Sequence, residues 1–195
     1  NDHGVHFYKI DPPMLPGDTL VVEIKNKFST KGFSNGGEST SIIKNGSFLN
    51  NYEILPNIGY DTGKEISDKN KRKKLGLPPK ERMPELEINC GPNCNKNYLT
   101  QGFSDYINVE SILSTSEDQI AIAPGSLIKS WEENNRNYFH YKLDQPSQNF
   151  YSFISANYQI AKRKWKDVDI EIYYDSKHSV NIDMMLDAVE RSLDY

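Results

Sequence analysis

Four histidines and two cysteines are the side chains of this sequence best suited to hold a metal or move a proton near neutral pH. His3 and His6, in "DHGVH", stand three apart, a spacing at which two imidazoles can share a metal. No third ligand is identifiable beside them, and terminal positions favour mobility. His140 lies in "NYFHYKL", where alternation sets it opposite Phe139 and Tyr141, on the wetter face of a strand. His178 falls at a strand-to-helix joint near Asp175 and Asn181, as a polar entry residue or a catalytic one. Cys90 and Cys94, in "INCGPNCNKN", enclose Gly91, Pro92 and Asn93. They could close a local disulfide in an oxidising compartment or remain two thiols; a second Cys/His pair at zinc-finger spacing does not accompany them.

Other stretches suggest binding rather than catalysis. Lys69, Lys71, Arg72, Lys73 and Lys74 form a basic run that an RNA or a membrane surface could use. Asp61, Glu65, Asp68 and Glu81 lie close by, so a solvated helix face is the reading favoured here. Phe139, Tyr141, Phe150, Tyr151 and Phe153 could stack against sugars or fill a β core. H-E-x-x-H, a phosphate-cradling glycine loop and the G-x-S-x-G elbow are all missing from the sequence. The residues alone therefore do not assemble a recognisable enzyme.

The elements that must position these groups are mostly strands. "TLVVEIKNKF" is rich in branched residues and follows the turn-forming "PPMLPGD". "STSIIKNGSFLNN" carries Asn45-Gly46 between two apolar stretches, a pair that readily supplies the positive φ angles of a tight hairpin. "YINVESILST", "QIAIAP", "NYFHYKL", "NFYSFISANYQIA" and "DVDIEIYY" complete the strand candidates. "TGKEISDKNKRKKLGLPPKERMP" predicts a short helix stopped by Gly76, then a proline-stiffened loop. In the C-terminal segment Ile182, Met185, Leu186, Val189 and Leu193 recur every three or four residues, one apolar stripe on a helix. The expected fold is mainly β: an antiparallel sandwich or open sheets with a short helical insertion and a C-terminal helix.

A chain of 195 residues, 26% charged and 11% aromatic, suits one folded domain with a sizeable core. Its net charge of −4 gives no general reason to expect nucleic acid as a partner. No apolar run approaches the roughly 18 residues needed to span a bilayer, so the expectation is a water-soluble domain.

Read in order, "LPGDTLVVEI", "IIKNGSFL", "LPNIGYD", "KKLGLPP", "STSEDQIAIAPGSL", "RNYFHYKLDQPSQNFYSFISANYQI" and "IEIYYDSKHSVNIDMMLDAVERSLDY" resemble one known arrangement. They look like the N-terminal β-domain of the gluzincin family of zinc aminopeptidase-like proteins, which includes aminopeptidase N. The bacterial branch joined to an ABC-type permease is the nearest likeness. The resemblance implies a saddle-shaped β-domain over residues 1–177, with 178–195 forming the linker and first helix of a truncated catalytic domain. It implies a non-catalytic role: bracing the catalytic domain of the same chain and walling its peptide-substrate cleft. No catalytic residue or metal ligand is implied here, and no cofactor; zinc belongs to the catalytic domain beyond. The Asn45, Gly46, Ser47 and Phe48 turn is placed at the cleft rim. The family often uses an N-domain glutamine to hold the substrate's amino group, yet the comparable "KNGSFLNNYEILP" contains none. The parent is expected at the inner membrane, with the side that this domain faces left open, the extracytoplasmic one favoured over the cytoplasmic, and its own residues touching neither membrane nor nucleic acid. Residues 179–195 are expected to pack poorly, or on a neighbouring molecule. The competing reading is a stand-alone extracytoplasmic β-sandwich that binds carbohydrate or a protein partner.

Overall fold

Alternation becomes ladders along the second half of the chain. A computed structural model describes residues 8–30, 41–55, 65–80 and 106–195. The first elements are strands β1 (Ile42–Ile43) and β2 (Gly46–Asn50) and two short helices, α1 (Asn51–Ile54) and α2 (Lys69–Lys74). Strands β3 (Tyr106–Ile107), β4 (Glu110–Ser116), β5 (Ile120–Ile122), β6 (Ser126–Glu133) and β7 (Arg136–Lys142) come next. They are succeeded by β8 (Ser147–Gln148), β9 (Ser152–Ala156), β10 (Gln159–Trp165) and β11 (Val168–Tyr174), then a 3-10 turn (Ser176–His178) and α3 (Ile182–Asp194). The fold is thus mainly β, built from antiparallel open sheets with a C-terminal helix.

One sheet runs β1-β2-β9-β5 and another β4-β7-β6; β3 pairs with β8 and β10 with β11. The first two enclose a core. Phe139 and Tyr141 of β7 meet Ala121 of β5 and Ala123, with Leu113 and Phe153 against them. Tyr141 is 5% exposed, and its O–H donates to the Ala121 carbonyl at 3.0 Å, which satisfies a phenol the core would otherwise penalise. A second core forms where α3 lies on the β10–β11 hairpin. Ile182 and Leu186 are buried with Ile170, and Trp165, Ile172 and Tyr174 pack around them.

That second core revises one expectation. Residues from Ile182 onward dock on their own chain, and polar contacts pin them there. Arg163 of β10 holds Asp187 and, at 3.1 Å, Glu190, while the Trp165 indole N–H donates to Asp194 at 3.1 Å. The expected stripe is only half covered: Met185, Val189 and Leu193 stay 48%, 38% and 39% exposed.

Two other differences concern strands. "TLVVEIKNKF" forms no ladder among the described residues, and Val21 is 88% exposed. It is tied through a side chain, Asn26 Nδ2 donating to the Ile54 carbonyl at 2.7 Å, and just beyond it Thr30 Oγ1 donates to that of Ile42 at 3.0 Å. Branched residues favour a strand only where a neighbouring strand accepts them. Conversely, β6 is a full strand that alternation does not reveal, because "SLIKSWEE" is exposed at nearly every position and bulges between Leu127 and Lys129. Its hairpin to β7 turns on Asn134 and Asn135, with φ angles of 51° and 58°, the left-handed pair that asparagine tolerates best after glycine.

Candidate functional site

The residues expected at a cleft rim, Asn45 to Phe48, sit on the β1–β2 hairpin, whose formation matches the sequence expectation but whose turn does not. Ile43 pairs with Gly46 and Ile42 with Ser47, so Lys44 and Asn45 occupy the corner. Positive φ occurs elsewhere, and Gly46 is a strand residue. Its missing side chain answers a different need. A Cβ there would lie 2.1 Å from the Ser155 carbonyl oxygen and 2.9 Å from the Ala156 Cβ, so only glycine permits β2 to sit this close to β9.

The pleat then separates the four candidates. Ser47 turns to one face of the sheet, where its hydroxyl lies 2.9 Å from that of Ser155 on β9. Phe48 turns to the other and is 49% exposed. Asn45 stays at the exposed tip. Ser47, with Leu49, Phe153 and Ser155, lines one side of a groove of about 340 Å³. The other side is β4, from Ser111 to Thr115. The groove is therefore a join between two sheets, floored by apolar side chains and edged by hydroxyls.

Sequence reasoning overlooked the β4 hydroxyls. Thr115 is buried and donates to the Gln119 carbonyl at 3.0 Å. Ser111 Oγ is buried without a hydrogen-bond partner among the described residues. A signal existed: in "ESILSTS", Ser111 and Thr115 occupy the same strand parity as Leu113, which packs on the core. Small hydroxyl residues at inward positions mark a place where the sheets do not close fully on one another. Such a groove can hold an apolar side chain and hydrogen-bond a neighbouring polar group.

Of the other candidates, His140 stands where alternation placed it, beside buried Phe139 and Tyr141 but on the opposite face. Its Nε2 lies 2.7 Å from Glu110 Oε1, and Lys142 approaches the same carboxylate at 3.3 Å. The His140 hydrogen bond, reinforced by Lys142, holds the Glu110 carboxyl below its usual range. Glu171 is lowered likewise, chiefly by Lys162 and then by the Tyr173 hydroxyl that donates to it at 2.6 Å. Burial, then Glu171, pushes the Tyr173 phenol well up. These are surface networks that tie neighbouring strands. His178 lies in the exposed 3-10 turn, 3.8 Å from Asp175, as a joint residue.

His3, His6, Cys90 and Cys94 lie outside the described residues. Among the described residues there is no group of three or more His, Cys, Asp or Glu placed to hold a metal ion. No helix among them is long and apolar enough to cross a membrane. Compared with protein-family models, with curated proteins and with solved structures, the chain gives no match.

Proposed function

We propose that the chain is the non-catalytic N-terminal β-domain of a zinc aminopeptidase-like protein of the gluzincin family, joined in its parent to a membrane permease portion. The reading is carried by the resembling stretches and their order along the sequence. "IIKNGSFL" covers the β1–β2 hairpin, "STSEDQIAIAPGSL" the passage from β4 through β5 into β6, and the later stretches β7 to α3. The half-covered stripe on α3 supports it further, since Met185, Val189 and Leu193 offer apolar area that a catalytic domain would bury.

In this reading the domain works as a wall. Sheets present loops from a rigid base, and the hydroxyl-edged groove beside Ser47 gives the cleft rim a place to seat a substrate side chain. The residues of this chain do not fit a zinc site of the family type, because H-E-x-x-H is missing from all 195 positions. No zinc ligand is assigned to it. The test is a pair of assays on aminoacyl substrates. The full-length parent is expected to release the amino acid in a zinc-dependent way, and residues 1–195 alone to release none. Robust cleavage by residues 1–195 would overturn the non-catalytic assignment.

A second reading, a free-standing carbohydrate-binding sandwich, draws on one observation. Trp131 and Tyr138 stack on the outer face of β6 and β7, with centroids 5.0 Å apart. Lys129 sits over the Trp131 ring at 5.2 Å. The Tyr138 ring and the Lys129 ammonium thus take up part of the indole surface on which a sugar would stack.

A further inference from the structure

We infer that helix α2 and the loop after it form a docking surface for an anionic lipid bilayer. Residues 65–80 hold six cationic side chains against two carboxylates. Both carboxylates are engaged at home. Asp68 caps the helix by accepting from the Lys71 backbone N–H at 2.7 Å, and Glu65 takes Arg72 at 3.4 Å and Lys80 at 3.9 Å. Arg72 turns back onto its own segment, donating also to the carbonyls of Pro78 at 2.6 Å and Ile66 at 2.9 Å. These bonds hold a helix that its own charge would oppose. They leave Lys69, Lys71, Lys73 and Lys74 exposed.

The ending of the helix adds the second half of the surface. Gly76, at φ 68°, closes it by donating its N–H to the Lys73 carbonyl at 3.2 Å, while the Leu77 N–H donates to that of Arg72 at 2.9 Å. The turn brings out Leu75 and Leu77, which are 61% and 43% exposed directly beside the lysines. Pro78 and Pro79 stiffen the backbone just beyond Leu77.

A rigid knob of four lysines with two projecting leucines has the composition of a bilayer interface. The ammonium groups meet headgroup phosphates, and the leucines reach the acyl boundary. Nucleic acid fits it less well. Aromatic or guanidinium faces for stacking are not offered, since Arg72 is consumed internally, and the chain as a whole is acidic. The surface lies in a segment for which the sequence favours a solvated helix face over an RNA- or membrane-binding patch. Its leucine exposure, which residue types alone do not disclose, is what changes that reading. The inference stands whether or not the peptidase reading holds.

The test is sedimentation of residues 1–195 with vesicles of phosphatidylcholine, with and without about one-third phosphatidylglycerol, at low and high salt. Binding is expected to the anionic vesicles only and to weaken as salt rises. Changing Lys71→Gln, Lys73→Gln and Lys74→Gln together should lower partitioning roughly a hundredfold, at about fivefold per lysine. Leu75→Ser with Leu77→Ser should weaken it while keeping the salt dependence. All five side chains are exposed, so far-ultraviolet circular dichroism should stay unchanged. Equal binding to neutral vesicles would overturn the inference, as would undiminished binding by the lysine variant. Tighter binding to a single- or double-stranded oligonucleotide than to the anionic vesicles would also overturn it.

Discussion

Gly46 shows how a residue can be singled out correctly for the wrong physical reason. Asn45-Gly46 announces a hairpin, and the hairpin exists, but the glycine is needed for the approach of β9 rather than for a positive φ. Gly46→Ala is therefore expected to lower stability by about 1–3 kcal/mol, the usual cost of overpacking. A urea denaturation midpoint equal to that of the unchanged chain would show that the strands can part freely. Glu110 supplies a test by pH. Its carboxyl is held below the ordinary value of 4.5 in the folded state. The stabilisation it gives is present above that unfolded value and is lost as pH falls through the lowered folded one. The carboxylate is solvent-exposed, so the effect is small. Glu110→Gln should lower the urea midpoint slightly at neutral pH, and the gap should narrow as pH falls below the ordinary carboxylate value. A gap that persists in acid would assign the effect to packing instead of charge.

At the scale of elements, legibility followed burial. Strands β4, β5, β7, β9, β10 and β11 were readable because one face of each meets an apolar neighbour, so that residues such as Phe139 and Tyr141 alternate with polar ones. Strand β6 was not, because Leu127 and Ile128 point to solvent on an edge and the pattern that marks a strand depends on burial. "TLVVEIKNKF" misled in the opposite sense: its branched residues state a preference, but pairing is a property of what lies beside them. The groove hydroxyls on β4 stayed hidden because their meaning depends on the distance between two sheets. The apolar stripe of α3 was legible from spacing alone, whereas its dock was not, since Arg163 and Trp165 come from a separate hairpin earlier in the chain. Leu186 is 4% exposed at the centre of that dock. Leu186→Ala should cost about 2–5 kcal/mol of local stability. It should speed amide exchange through residues 182–194 while leaving β4 and β7 protected. Uniform loss of protection would mean that the helix and the sheets unfold as one unit.

At the scale of the molecule, the described residues build two small cores rather than one large one. The sheets around Tyr141 form the first and α3 on its hairpin the second. Such a build would suit the bracing role proposed above, with the sheets holding the groove and the helix end free to carry contacts to a neighbour. In the proposed reading, the remaining apolar area on α3 is what a neighbouring domain of the same polypeptide would cover. Mass spectrometry and peptide sequencing of the native polypeptide, captured with an antibody to residues 1–195, test this most directly. The expected result is a longer chain that continues beyond Tyr195 and carries H-E-x-x-H with a more distant Glu. A mature polypeptide that ends near Tyr195, or continues without that motif, would contradict it.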